Sequence, residues 1–290
     1  MSPIRSSTRS LIVSADDFGL SEEVNEAIEI AHRDGLLSTA SLMVAGPASV
    51  DAVKRAKRLP DLRVGLHLVT IEGEATLPHA AIPSITDADG ELGRSQLGLG
   101  VDYFFNPVAR HALRREIEAQ FRAFAFSGLP LDHANAHKHM HLHPTVGRYL
   151  IRTGAEFGLR HVRLPIELPA PLAAVETRFD TLGAAALRRW CGVLRGQIRR
   201  AGMTTNDWCF GIAWSGHMTA GRVADLTAHL PPGLSEVYFH PATAKNELLQ
   251  SLMPDYDHRG ELAALTSPLF RNAVTANHVR LATWDAASRA

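Results

Sequence analysis

Short apolar runs alternate with helical periodicities along most of the chain. Residues 11–15 form an apolar run with a β-branched pair that ends at Asp16-Asp17-Phe18-Gly19, which predicts a buried strand entering a loop. Ser21 then stands as an N-cap, with Glu22 and Glu23 in the first helical turn where the helix dipole favours anions, and the helix runs to about Asp34 before Gly35. A strand at 38–44, a helix at 48–58 and a strand at 64–69 follow, the last carrying His67 in Gly65-Leu66-His67-Leu68. This is βαβαβ alternation.

From Glu72 to about Pro107 the periodicity fails and Gly, Pro and Asp punctuate the chain. An excursion this long is uncommon inside a compact domain, and it is expected to be a lid or substrate loop. Pro107 opens a helix to Phe126, with Leu113, Ile117, Phe121 and Phe124 at helical spacing. Further strands are expected at 133–137, 161–164, near 209–213, at 236–239 and at 280–283. Helices are expected from about Thr145, over 182–200, near 222–230 and from Glu261. Seven or eight mostly parallel strands separated by helices favour an α/β architecture closed, or nearly closed, as a TIM-like (β/α) barrel over an open doubly wound sheet. No GxGxxG follows the first strand, which removes the main support for a dinucleotide site.

Composition narrows the partners. Across 290 residues, 30 Lys and Arg balance 30 Asp and Glu, so no gross field draws the chain to nucleic acid or to an anionic surface. With 46% hydrophobic and 21% charged residues it matches an ordinary globular protein. Cys191 and Cys209 cannot build a disulfide framework, and no CxxC spacing suggests a zinc ribbon or redox pair. The N-terminal apolar stretch is too short for a signal-peptide core and no run is long enough to span a bilayer, so a cytoplasmic protein is expected, with peripheral membrane contact open.

The chemically loaded residues recur at strand ends. Asp16 and Asp17 follow the first strand, His67 sits near the end of the third, His137 follows the fourth, Arg163 lies on the fifth, and His240 ends the strand at 236–239. In a parallel barrel these ends open onto one face, where the active sites of such barrels lie. An Asp-Asp pair is by itself more often a turn or a solvated cap. Directly after a buried strand and facing a histidine, two carboxylates can instead divide metal binding and proton acceptance between them. In the segment from His133 to His143 every histidine is odd-numbered, so an extended chain would project all of them to one side. His139 and His141, with Arg163, are candidates for substrate contact, and Arg163 serves equally as an ion-pair partner. Two histidines and an aspartate with open positions suit Mg²⁺, Mn²⁺ or Zn²⁺, and the chemistry implied is metal-assisted hydrolysis.

At these residues the sequence resembles the YdjC-like carbohydrate deacetylases, which include chitooligosaccharide deacetylase. The resemblance rests on Ala15-Asp16-Asp17-Phe18-Gly19-Leu20-Ser21, Gly65-Leu66-His67-Leu68, the His137-Lys138-His139-Met140-His141 run, Val162-Arg163, Glu236-Val237-Tyr238-Phe239-His240-Pro241 and Arg259-Gly260-Glu261-Leu262. It implies a modified (β/α) barrel over most of the chain and removal of N-acetyl groups from amino sugars with one divalent cation, Mg²⁺ foremost. It also implies Asp17, His67 and His137 as metal ligands, Asp16 as general base and His240 as proton donor. Where the family usually has Asp-Ser before the histidine run, this chain has Asn135-Ala136. The wording from Leu129 to His139, with Tyr103-Phe104-Phe105, is similar to the hopanoid-biosynthesis-associated HpnK branch, which implies N-acetylglucosamine attached to a hopanoid polyol as substrate.

One helical stripe, Leu187, Trp190, Cys191, Leu194 and Ile198, is accompanied by Arg188, Arg189, Arg195, Arg199 and Arg200 without an acidic residue. Such a helix either lies on an anionic membrane or packs its apolar stripe on the barrel with a solvated basic face. Two other functions use the same residues: a metal-dependent phosphoesterase, and a non-catalytic metal-binding or sugar-binding protein.

Overall fold

The computed structural model describes residues 8–176 and 181–289; the start of the N-terminal stretch considered above lies outside them. Among the described residues seven strands, β1 (Arg9–Phe18), β2 (Thr39–Leu42), β3 (Arg63–Leu68), β4 (Ala134–Ala136), β5 (Trp208–Phe210), β6 (Gly233–Phe239) and β7 (Arg280–Leu281), form one parallel sheet in the order β4-β3-β2-β1-β6-β5, with β7 paired to the start of β1. The expected strand at 161–164 is present only as isolated bridges, Ala134 to Val162 and His161 to Thr204. It nevertheless fills the gap between β4 and β5. Arg163 N donates to Ala134 O at 3.0 Å, and Cys209 N donates to Ile166 O at 2.8 Å. Asn206 splints the irregular stretch, its amide bonding both the N–H and the C=O of Leu164. The main-chain hydrogen bonds thus run around the ring, as a (β/α) barrel requires.

Helices surround the ring: α1 (Glu22–Asp34), α2 (Ser49–Arg58), α3 (Gln96–Phe105), α4 (Pro107–Ser127), α5 (Pro144–Glu156), α6 (Pro169–Val175), α7 (Thr181–Arg200), α8 (Ala220–His229), α9 (Glu247–Leu252), α10 (His258–Leu265) and α11 (Pro268–Ala276). Their ends follow sequence chemistry. Ser21 Oγ accepts from Val24 N at the start of α1, and Asn106 caps α4 ahead of Pro107, whose missing N–H needs no partner there. Gly128 ends α4 in the left-handed region at φ 75°.

Side chains alternate across β1 and sort the interior into layers. Leu11, Val13 and Ala15 join the main apolar cluster with the helices, whereas Ile12, Ser14 and Asp16 belong to the other face. Ile12 packs with Leu234 and Trp284, which close the bottom. Above them Ser14, Ser41, Asn135, Arg163 and Glu236 form a buried polar layer, and Asp16, His67 and Tyr238 lie at the top. Gly65 is required on this inner face, since a Cβ there would stand 2.3 Å from His133 Nδ1.

The 72–107 excursion has structure of its own. It holds a 3₁₀ turn at His79–Ala81, antiparallel bridges from Glu74 to Glu91 and from Thr86 to Leu92, and α3. The buried Glu116 of α4 pins it by accepting from Thr76 N and Leu77 N. The Gly and Pro punctuation concealed α3, whose two interior glycines weaken its helical signal. On α7, Cys191, Leu194 and Ile198 are buried against the barrel and Arg195 donates to the carbonyls of Asn206 and Asp207. Packing on the barrel therefore occupies Cys191, Leu194 and Ile198 of the stripe, while Trp190 stays exposed.

Candidate active site

Both adjacent aspartates reach the mouth of the barrel because β1 breaks its own alternation. Strict pleating would send neighbours to opposite faces, but the pairing with β2 shifts register between Ala15 and Phe18, and Asp17 adopts φ 62°. A left-handed aspartate is strained, and such strain concentrates at functional sites. The histidine run departs from the expected extended chain in the same way. β4 stops at Ala136, and Lys138 and His139, at φ 50° and 54°, turn the chain into a 3₁₀ segment over His137–Leu142. The histidines consequently scatter. His137 and His139 line a cavity, His141 turns back to Arg163 O at 3.0 Å, His143 caps α5, and His133 sits low in the barrel on Ser41 and against Trp284.

Asp17, His67 and His137 converge at the floor of this cavity of about 400 Å³. Asp17 Oδ1 lies 3.2 Å from His67 Nε2 and 3.2 Å from His137 Nδ1. All three side chains are buried, and one donor atom from each falls within 4.8 Å of the others. Asp17 Oδ2 and His67 Nε2 have no hydrogen-bond partner, an arrangement costly for buried polar atoms and natural for metal ligands. His67 Nδ1 bonds Asn135 Oδ1 at 2.7 Å, which places the ring proton on Nδ1 and leaves Nε2 as the donor towards a cation. The Asn135 amide then donates to Asp16 Oδ1 and to Ser41 Oγ, both at 3.0 Å. The asparagine that replaces the expected carboxylate thus links His67 to Asp16.

Asp16 stands apart from the three. Burial raises its pKa, but the Arg163 guanidinium, with His67, outweighs burial and holds the carboxyl well below the usual range. Arg163 is itself fully buried, forks onto Glu236 at 2.8 and 3.0 Å, donates to Ser14 Oγ and lies 4.8 Å from the Tyr238 ring centre. Neither Arg163 nor His141 reaches the cavity surface; of the two roles open to Arg163, the geometry is that of an ion-pair partner. The expectation that these two contact substrate is therefore corrected, because each side chain is engaged behind the wall. His139 does line the wall, its Nε2 3.1 Å from Tyr238 Oη. Burial keeps His139 well below the ordinary imidazole range and pushes His141 down to about 3.

His240 faces the cavity from the end of β6, with its ring edge-on to Tyr238 and Tyr256 and Nδ1 unpartnered. Burial lowers its pKa while Asp17 and Asp16 pull it back up. Behind it, the buried Glu261 accepts from Met218 N and from His240 N, and burial pushes its carboxyl up to about 7. Tyr238, Tyr256, Ser215 and Met253 also line the cavity and were missed by sequence reasoning. Only the Glu236–Pro241 motif pointed towards any of them. Lys138 on the rim is paired with Glu72.

Glu261 yields a pH prediction. The folded state keeps its proton between about 4.5 and about 7, where the unfolded state has released it, so this group's contribution to stability falls as pH rises through that window. Urea midpoints of the wild type minus those of Glu261→Gln should decline from pH 4.5 to 7.5. A difference independent of pH would refute the shifted carboxyl.

Comparison with known proteins follows the same residues. A carbohydrate deacetylase of Brevibacillus brevis is 36% identical over 168 residues, 58% of this chain and 62% of that protein. A carbohydrate deacetylase of Vibrio cholerae is 34% identical over 151 residues, covering 51% of this chain and 56% of that protein. The chain thus spans about three fifths of the length of these curated relatives. A chitooligosaccharide deacetylase of Yersinia pestis is 29% identical over 283 residues, 93% and 96% of the two chains. In fold, a solved structure from Enterococcus faecalis V583, given a provisional assignment to cellobiose-phosphate cleavage, matches with a TM-score of 0.74 at 21% identity over 96% of this chain and 98% of that one. The family described as YdjC-like protein matches residues 10–276, a span from the first strand through α11 that includes every site residue above, and the chain belongs to that family.

Proposed function

We propose that the protein is a metal-dependent hydrolase that removes the N-acetyl group of an N-acetylated amino sugar. The observation that carries this reading is the buried Asp17, His67 and His137 cluster with its unpartnered carboxylate oxygen at the floor of a cavity. The deacetylase names of the relatives support the choice of bond. A divalent cation held there, Mg²⁺ foremost with Zn²⁺ or Mn²⁺ as alternatives, would supply Lewis acidity at the acetyl carbonyl and an acidified water. Asp16 takes the water's proton. Its two oxygens are held by Asn135 and Arg163, which fixes the carboxylate's direction and leaves it lone pairs to accept with. His240, which follows Phe239 on the strand paired with β1, delivers a proton to the departing nitrogen, and Asp17 and Asp16 beside it offset part of the burial that lowers its pKa. Tyr256 and His139 bound the space for the sugar.

The finer reading is N-acetylglucosamine linked to a hopanoid polyol, reached from the cytoplasmic side; the wording from Leu129 to His139 supports it. The phosphoesterase alternative is weaker. Lys138 is the one ammonium or guanidinium among the described residues lining the cavity, and Glu72 already pairs with it. Incubation with N-acetylglucosamine oligosaccharides and with phosphorylated sugars should release acetate and leave phosphate esters intact. Phosphate release without acetate would exclude the proposal. Mass spectrometry of lipids from a deletion strain should show one species heavier by an acetyl group if the acceptor is a hopanoid.

A further inference from the structure

Helix α3 carries more apolar surface than its packing uses. Leu99 and Tyr103 point inward, and the Tyr103 hydroxyl donates to Thr70 O at 2.7 Å. A second stripe of Leu97, Val101 and Phe104 follows the spacing of one face of α3, and Val108 lies just beyond the extended Asn106 at the start of α4. This stripe faces solvent: Leu97 is 81% exposed, Val108 64%, and the neighbouring Phe105 72%. The rings of Phe104 and Phe105 meet edge to face at 4.8 Å, and Phe104 stands 6.1 Å from His143. Leu142, one residue back, accepts the indole N–H of the exposed Trp190 on α7. The apolar face therefore runs from α3 across the 142–143 turn to α7. That turn continues from His137 and His139 of the cavity wall. Contiguous exposed apolar surface of this kind marks a contact site.

Charge identifies what fits it. Helices α5 and α7 carry seven arginines and one carboxylate, Glu156, in a chain balanced at 30 and 30. Arg148, Arg152 and Arg189 are exposed on them. An aromatic and aliphatic face that carries one exposed carboxylate, Asp102, beside helices with exposed arginines complements an anionic bilayer, in which the rings enter the acyl boundary and the guanidiniums meet lipid phosphates. A second copy of the chain would set like charge against like charge.

We infer that this face docks the protein on an anionic membrane leaflet, with the α3 stripe inserted and the cavity mouth beside the bilayer. Docking stands or falls separately from acetyl removal, since its assay contains no substrate. The full chain is sedimented with vesicles of phosphatidylcholine alone and of phosphatidylcholine with phosphatidylglycerol. The wild type should partition onto the anionic vesicles, less so as salt rises. Phe104→Gln combined with Phe105→Gln should lower the partition coefficient by about tenfold or more. The thermal transition should be unchanged, because both rings are exposed. Arg148→Gln, Arg152→Gln and Arg189→Gln together should abolish the preference for anionic lipid. Absence of wild-type partitioning, or equal partitioning of the phenylalanine variant, would overturn the inference. So would a wild-type dimer that the phenylalanine changes dissociate without any vesicle binding, which would assign the face to a second copy.

Discussion

Asp16→Asn should keep its metal and lose about 10²- to 10⁴-fold in kcat, the usual contribution of a general base. Asp16 lies outside the group whose donor atoms converge, and its oxygens are held by Asn135 and Arg163. KM should change much less, since a proton acceptor acts mainly in the transition state. Steady-state rates with elemental analysis decide between this and the reverse assignment. A metal-free Asp16→Asn protein would show that the two aspartates have exchanged roles.

Arg163→Met should destabilise the fold by about 3–5 kcal/mol, because it strands Asp16 and Glu236 as buried charges without their shared cation. The layer below the cavity holds one guanidinium between two carboxylates, and Ser14 bridges the same groups with Oγ 2.6 Å from Glu236 Oε1. Arg163→Lys should recover only part of the loss, since an ammonium restores charge but not the fork onto Glu236. Pairing Arg163→Met with Glu236→Gln should cost less than the sum of the two changes, because the second removes a charge the first left stranded. Urea unfolding of the four proteins measures this. A loss under about 1 kcal/mol for Arg163→Met would show that the ion pairs contribute nothing net.

Much of the architecture was legible because the barrel strands are buried on both faces and bounded by Gly, Pro and capping residues. The run at 11–15 falls within β1, that at 64–69 matches β3 except for Val69 beyond its end, and Asn106-Pro107 opens α4 as its chemistry demands. Where tertiary contacts replace a ladder, the pattern misleads. The 161–164 segment keeps a strand's composition, but Asn206 supplies the hydrogen bonds of a missing neighbour. Short helices such as α6 and α9, at seven and six residues, offer too few turns for a period to register.

The site was legible in part. Asp16, Asp17, His67, His137, His139 and His240 do share one cavity, because parallel strand ends meet at one face. The two-residue periodicity of the histidine run gave no sign of the left-handed pair at Lys138 and His139, which sends His141 behind the wall. Tyr256 escaped notice because it enters from a loop after α9, where no periodicity marks it.

The most direct measurement follows acetate release from an N-acetylglucosamine oligosaccharide together with bound metal, in wild type and in Asp17→Asn. The wild type should hold one divalent cation per chain, release one acetate for each amine exposed, lose activity to a chelator and regain it with added cation. Asp17→Asn should lack both metal and activity, since it removes the carboxylate that His67 and His137 face. Undiminished acetate release from metal-free wild-type protein, or from Asp17→Asn, would contradict the account.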